Sequence, residues 1–206
     1  MRKQFSAVFS LLLAATLVAG LASESHAQTD RPALAVMLQN DAAAPASVVE
    51  RAKREVTRLY SLVGIDITWL DEVPSSGARF RVVSVTAWEP NDRKIATSVL
   101  GYTQASPEKR GTRAYVFWRR VERASQTFTA SLDKVLAIAI AHEIGHMLLP
   151  DGKHTKDGLM RAPWDANHFR SASAGLLLFS DDSARRIRRQ AEAEHAATTA
   201  QKAREQ

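Results

Sequence analysis

The 206-residue sequence contains no cysteine. That excludes a disulfide scaffold, a thiolate metal site and a catalytic thiol. It leaves no thiol to carry a lipid anchor either. Nine glycines and seven prolines are too few for a collagen-like or low-complexity chain. Charge of one sign is not in large excess: 28 Lys and Arg face 22 Asp and Glu, a formal +6. The surplus gathers in Arg110–Arg123 and Arg185–Arg189. Neither stretch carries a nucleic-acid motif, so both read as solvated basic surface and no nucleic-acid partner is expected. Past residue 22 no apolar run is long enough to cross a bilayer. What is present, 45% hydrophobic and 24% charged residues, is ordinary for a soluble globular protein. The length fits one domain and a tail.

Met1-Arg2-Lys3 is a short basic start, and Phe5–Ala22 carries no charge. Ser25-His26-Ala27 puts small residues at the two positions a signal peptidase reads. The pattern predicts a signal peptide over 1–27 and an exported chain, periplasmic or secreted. Ser6, Ser10 and Thr16 dilute the apolar run, which argues against an uncleaved anchor. No membrane span is expected after cleavage.

Along the remaining chain, Ala33–Leu38 is a short apolar run and reads as a buried strand. Asn40–Pro45 is a turn. Ser47 is positioned to cap a helix reaching Leu62, with Val48, Val49, Ala52, Val56, Leu59 and Tyr60 recurring at three and four. Gly64 ends it. Ile65–Leu70 alternates as a half-buried strand does, Pro74–Gly77 is a turn, and Phe80–Trp88 is a further strand. Residues 89–113 are loop-rich with one apolar patch, Ser98–Tyr102. Ala114–Trp118 is rich in strand formers. Ser131 caps a helix to about Leu148 that has almost no polar face, so it is central and buried. A loop spans Leu149 to about Phe169. After Leu176–Phe179, Ser180 caps a C-terminal surface helix with Asp181 and Asp182 in its first turn. The order is an α+β pattern: a small twisted mixed sheet packed by one amphipathic helix and one buried helix, plus a C-terminal helix.

The buried helix ends in His142-Glu143-Ile144-Gly145-His146. Residues four apart share a helical face, so both imidazoles can reach one Zn²⁺ at about 2.0–2.1 Å. Glu143, beside the first ligand, is placed to act as general base toward a water at such a centre. The bland alternative is two structural histidines and a surface glutamate. At the end of an apolar helix such groups are costly to bury without a partner. Zinc needs a third protein ligand. His154 lies eight residues past His146, in a loop with Asp151-Gly152 and Asp157-Gly158. A chain that turns back at Pro150–Gly152 can bring it under the metal. Asp151 is a rival because zinc accepts carboxylate oxygen, and His168 is another. Met160 follows six residues after His154.

These residues together resemble the metzincin zinc metallopeptidases. In that family a third histidine follows the helix, and a downstream methionine sits in a tight turn beneath the metal. The sequence is most similar to a HEIGH-type group of exported bacterial proteins, through His142–Leu149, His154-Thr155 and Gly158–Ala162. The resemblance implies one catalytic Zn²⁺ on His142, His146 and His154, with Glu143 as general base. It implies hydrolysis of a peptide or protein substrate by a single metzincin-like domain. It gives Met160 a packing role and no metal bond. The usual pattern has glycine three residues after the second histidine and a ligand six after it; here those positions are Leu149 and Gly152. The glycine's part then falls to Gly152, with two more residues before the ligand. Asp151 and His168 stay open as third ligands.

The expected organisation is a signal peptide over 1–27, the peptidase-like domain over 28–190 and a frayed helical tail over 191–206. Tyr115–Trp118 is expected at the sheet edge beside the cleft, where Gly111–Phe117 would direct an extended peptide. Trp164 and Phe169 are expected to wall the loop. The rival function is an inactive zinc-binding or envelope-associated binding protein on the same fold. Glu143 argues against it, because a structural zinc site needs no base.

Overall fold

A computed structural model of the chain describes residues 31–74, 79–89, 95–104, 113–149 and 151–204. The expected signal peptide lies outside the described residues, as does most of the expected turn Pro74–Gly77.

The elements in chain order are β1 (Ala33–Asn40), α1 (Ala46–Leu62), β2 (Asp66–Leu70), β3 (Arg81–Thr86), β4 (Gly101–Thr103), β5 (Arg113–Phe117), α2 (Trp118–Thr127), α3 (Leu132–Leu148), α4 (Ala166–Ser173) and α5 (Asp181–Arg204). The class is α+β, with one mixed five-stranded sheet among the described residues, ordered β2-β1-β3-β5-β4. β1 lies parallel to β2 and β3, β3 parallel to β5, and β4 antiparallel to β5. Parallel neighbours need a crossover, which α1 supplies between β1 and β2.

Alternate strand residues build the core. Leu34 and Val36 on β1, Val83 and Val85 on β3, and Ala114 and Val116 on β5 share one buried cluster with α1 and α3. α3 is buried all round except at Leu132–Lys134 and His146, so it runs through the middle of the domain. It meets α1 on one side and β3, β4 and β5 on another. Two polar ties fix it against α1. Lys134 Nζ donates to buried Glu55 at 2.8 Å, and the buried Tyr60 hydroxyl donates to the Ala141 carbonyl at 2.9 Å. Each neutral tie contributes about 1 kcal/mol, and those to charged groups somewhat more.

Several sequence expectations change. Pro45, not Ser47, holds the N-cap of α1, and no side chain caps it. Gly64 takes φ +82 and lets the chain leave α1 for β2. The patch Ser98–Tyr102 leads into β4, a strand too short to show alternation, whose pairing with β5 defines it. The expected edge at Tyr115–Trp118 is therefore wrong. β5 is paired on both sides, the edge is β4, and Trp118 opens α2. α2 buries only Trp118, Arg120, Val121 and Ala124, so its charges hide its narrow apolar stripe. α4 is a short helix inside the expected loop, nucleated by the cap at Asp165. α5 is docked by a stripe of Ser183, Ile187 and Ala191 and continues as helix through the expected tail to Arg204.

Candidate metal centre

The last two turns of α3 carry His142 and His146, and the loop after α3 carries His154. His146 Nε2 lies 3.0 Å from His142 Nε2 and 3.2 Å from His154 Nε2. All three donor atoms fall within 4.8 Å of one another. Three nitrogens about 2.0–2.1 Å from one ion at tetrahedral angles stand roughly 3.3 Å apart. The spacing fits a single tetrahedral ion with its fourth position open.

The protonation fits as well. His142 Nδ1 lies 2.8 Å from the Leu159 carbonyl, which can only accept. Nδ1 therefore carries the proton and Nε2 presents a bare lone pair. Burial, and then the neighbouring His146, drive His142 down to about 3. Burial and then His154 drive His146 down to about 4, with Asp151 opposing. The exposed His154 is lowered too, by its partial desolvation. Neutral imidazoles whose nitrogens converge this closely repel unless a proton or a cation lies between them. A metal ion answers that need for all three.

Glu143 sits beside them, 4% exposed. Thr103 Oγ1 of β4 lies 2.7 Å from Glu143 Oε2 and 3.0 Å from the Glu143 carbonyl. Burial pushes the carboxyl up to about 8, while the Thr103 bond pulls the other way. The Thr103 hydroxyl is placed to donate to the Glu143 carboxylate or to its carbonyl. Gly101 completes this cradle: a Cβ there would stand 2.7 Å from Glu143 Oε1 and 2.8 Å from its Cγ.

Met160 is fully buried against Gly145 of α3. A Cβ on Gly145 would stand 2.5 Å from the Met160 Sδ, so the bare helix backbone at Gly145 is what admits the methionine. Trp164 places its ring edge-on to His142, centroids 5.2 Å apart, and its Nε1 is a buried donor without a partner among the described residues. Phe169 is buried, stacked on Phe128 at 4.4 Å and edge-on to Trp164, so its part is packing. A cavity of about 660 Å³ opens over the centre. Ile95 to Thr103 form one wall, Arg161 to Trp164 another, and the three histidines with Glu143 lie on its floor.

The structure brings His142, Glu143, His146 and His154 together and leaves the two rival ligands outside. Exposed Asp151 pairs with Arg186 of α5 at 2.7 Å. His168 Nδ1 lies 2.7 Å from Asp165 Oδ1 as part of the α4 capping box. Glu194, expected on an exposed tail, is largely buried and holds Arg81. Sequence reasoning missed Gly101, Thr103, Gly145 and Tyr60. Only Gly145, inside the motif, carried any signal.

No protein-family model matches the chain, and no curated protein matches it in sequence. Among solved structures it is similar to a zinc-dependent peptidase from Methanocorpusculum labreanum. The two are 15% identical with a TM-score of 0.49, over 74% of this chain and 99% of that one.

Proposed function

We propose that the chain is an exported zinc-dependent endopeptidase of metzincin type, with one zinc on His142, His146 and His154. The observation that carries this reading is the convergence of three imidazole Nε2 atoms beside a buried carboxyl on the floor of an open cavity. Zinc, when bound, lowers the pKa of a water toward about 7 and polarises a carbonyl oxygen. The chain's own groups do the rest. Glu143 Oε1, free of the Thr103 bond, takes the proton of the attacking water and returns it to the leaving amine. Thr103 and Gly101 keep that carboxyl in place. His142 and His146 are locked by helix α3, and His142 further by Leu159. The outer edge of β4 can pair an extended peptide across the cavity mouth, the part first expected of β5. The apolar wall of Ile95, Val99 and Leu100 excludes water from the bond under attack.

The test is the zinc content of the purified protein by mass spectrometry, followed by cleavage of a peptide library. Stoichiometric zinc is expected, absent in His142→Ala and His146→Ala and weakened in His154→Ala. Glu143→Ala should keep zinc and lose cleavage. No zinc after reconstitution would overturn the centre. Cleavage undiminished in Glu143→Ala would remove the general base. Zinc without cleavage in the parent protein would favour the zinc-binding alternative. Export is read from the signal pattern alone, and a mature N-terminus at Gln28 in a non-cytoplasmic fraction would support it.

A further inference from the structure

Six described arginines are withdrawn from water to a half-buried or buried state: Arg31, Arg58, Arg81, Arg120, Arg161 and Arg186. Five of them hold a carboxylate, namely Asp66, Glu55, Glu194, Glu89 and Asp151 in the same order. Arg161 holds none, and its guanidinium makes no hydrogen bond among the described residues. A half-buried arginine whose side chain has no partner is the exception among the described residues. Among the described residues it is also the one arginine or lysine lining the cavity over the histidines. The one acid among its described lining residues, Glu143, is turned to Thr103.

The backbone holds Arg161 firmly. Its N–H donates to the Gly158 carbonyl at 3.1 Å, and it bridges to Thr155, the neighbour of His154. The backbone that carries this cation is thus held on the wall near the third histidine, in a cavity otherwise walled largely by apolar groups. Guanidinium pairs bidentately with carboxylate, and the pair is strengthened where water is partly excluded. We infer that Arg161 is a recognition site for a carboxylate of the bound peptide, so that the preferred substrates are acidic at the position facing it or end there in a free C-terminus. This rests on the peptidase reading and deepens it. Both sources offer the same chemistry, and the experiment separates them.

The probe is a fluorescein-labelled hexapeptide set that differs only in Glu against Gln at each position and in free acid against amide at the C-terminus. Cleavage and binding are both measured with the zinc-loaded protein and with Arg161→Gln, Arg161→Lys and Arg161→Glu. Retained thermal unfolding midpoints show that the variants are folded. The parent protein is expected to favour one acid over its neutral counterpart by on the order of ten- to a hundredfold, the range of a charge-assisted hydrogen bond. Arg161→Gln should abolish the preference, Arg161→Lys should keep part of it, and Arg161→Glu should invert it. A preference for Glu marks side-chain recognition; a preference for the free terminus marks end recognition. Equal handling of acidic and neutral peptides by the parent protein would overturn the inference. So would a preference that survives Arg161→Gln. If no peptide is cleaved, the peptidase reading fails, and the binding ratio alone still decides the part of Arg161.

Discussion

Gly101→Ala tests whether β4 was shaped around Glu143. Gly101 does not have a left-handed φ, so its backbone admits alanine. On backbone grounds alone the change should stabilise by about 0.4–1 kcal/mol, through a less flexible unfolded chain. The structure predicts the opposite sign. The new Cβ would stand 2.7, 2.8 and 2.9 Å from Glu143 Oε1, Cγ and Cδ. Because Cγ is struck as well as the tip, the carboxyl cannot escape by a small rotation. It must leave Thr103, at a cost of about 0.5–1.5 kcal/mol for the lost neutral bond. Overpacking adds about 1–3 kcal/mol. A net loss of about 2–3 kcal/mol is expected, which for a domain of this size lowers Tm by roughly 4–12 °C. The assay is urea unfolding of four metal-free proteins: parent, Gly101→Ala, Glu143→Ala and the double variant. Alanine at 143 removes the three atoms nearest the new methyl. In that background Gly101→Ala should be neutral or stabilising, giving a coupling above about 1.5 kcal/mol. Equal costs in both backgrounds would refute the cradle, since the clash would then lie elsewhere.

The metal-free protein should be most stable near pH 6.5. His142 and His146 are held near 3 and 4, below their unfolded 6.5, so their contribution is present above 6.5 and lost as pH falls. Glu143, near 8 against an unfolded 4.5, contributes below 4.5 and loses that contribution as pH rises through 8. Each slope is at most about 1.4 kcal/mol per pH unit, so two histidines outweigh one glutamate on the acid side. Urea midpoints across pH 4–9 check this, and a flat profile would contradict it. Arg120→Ala should cost about 3 kcal/mol, at the low end for a broken buried pair because Glu89 is half-exposed. It frees the carbonyls of Ala96 and Val99, now held at 2.9 and 2.8 Å, so hydrogen exchange at the cavity wall should rise with the loss. Asp151→Asn and His168→Ala should leave zinc stoichiometry unchanged, the latter losing at most about 1 kcal/mol because Asp165 still caps the helix. Loss of zinc in either would restore that residue as a ligand.

The parts of this site visible beforehand are those set by local spacing. His142 and His146 share a face because they are four apart on a helix whose apolar surround is plain in the sequence. His154 was reachable as the nearest histidine downstream, but ligand type could not separate it from Asp151 or His168. What separates them is tertiary: Arg186 of α5 takes Asp151, and the α4 cap takes His168. Thr103 was invisible for another reason. It lies 40 residues before Glu143 on a three-residue strand, and nothing in Gly101-Tyr102-Thr103 marks it as a cradle. Placing β5 at the edge failed on the same strand. A run of strand formers says that Arg113–Phe117 is a strand, not how many neighbours it has.

The loop between α3 and His154 shows what such a connection must satisfy. Leu149, three past His146, is buried and extended at φ −82 and ψ 120, so α3 ends without a left-handed residue there. The reversal is made at Gly152, at φ +57, where an added Cβ would meet nothing within 4 Å. Backbone conformation, not space, calls for glycine at that point. The chain then closes on itself: Thr155 N–H donates to the Met160 carbonyl at 3.0 Å, which fixes His154 through its neighbour. Leu159 gives its carbonyl to His142 Nδ1 and its N–H to the Leu178 carbonyl at 2.7 Å. Two adjacent residues, Leu159 and Met160, thus orient an imidazole from the helix and one from the loop. Their own position is set at Gly158, where φ is +71 and a Cβ would strike the backbone of Leu178 and Ser180 at 2.7 Å. Backbone cannot step aside as a side-chain tip can, so Gly158→Ala must shift the whole segment and both imidazoles with it. Zinc affinity should fall by at least the roughly 10–100-fold typical of losing one supporting hydrogen bond to a ligand. Competition with a chelator of known affinity measures it. Unchanged affinity in a folded Gly158→Ala protein would mean that the two ligands are positioned independently of this segment.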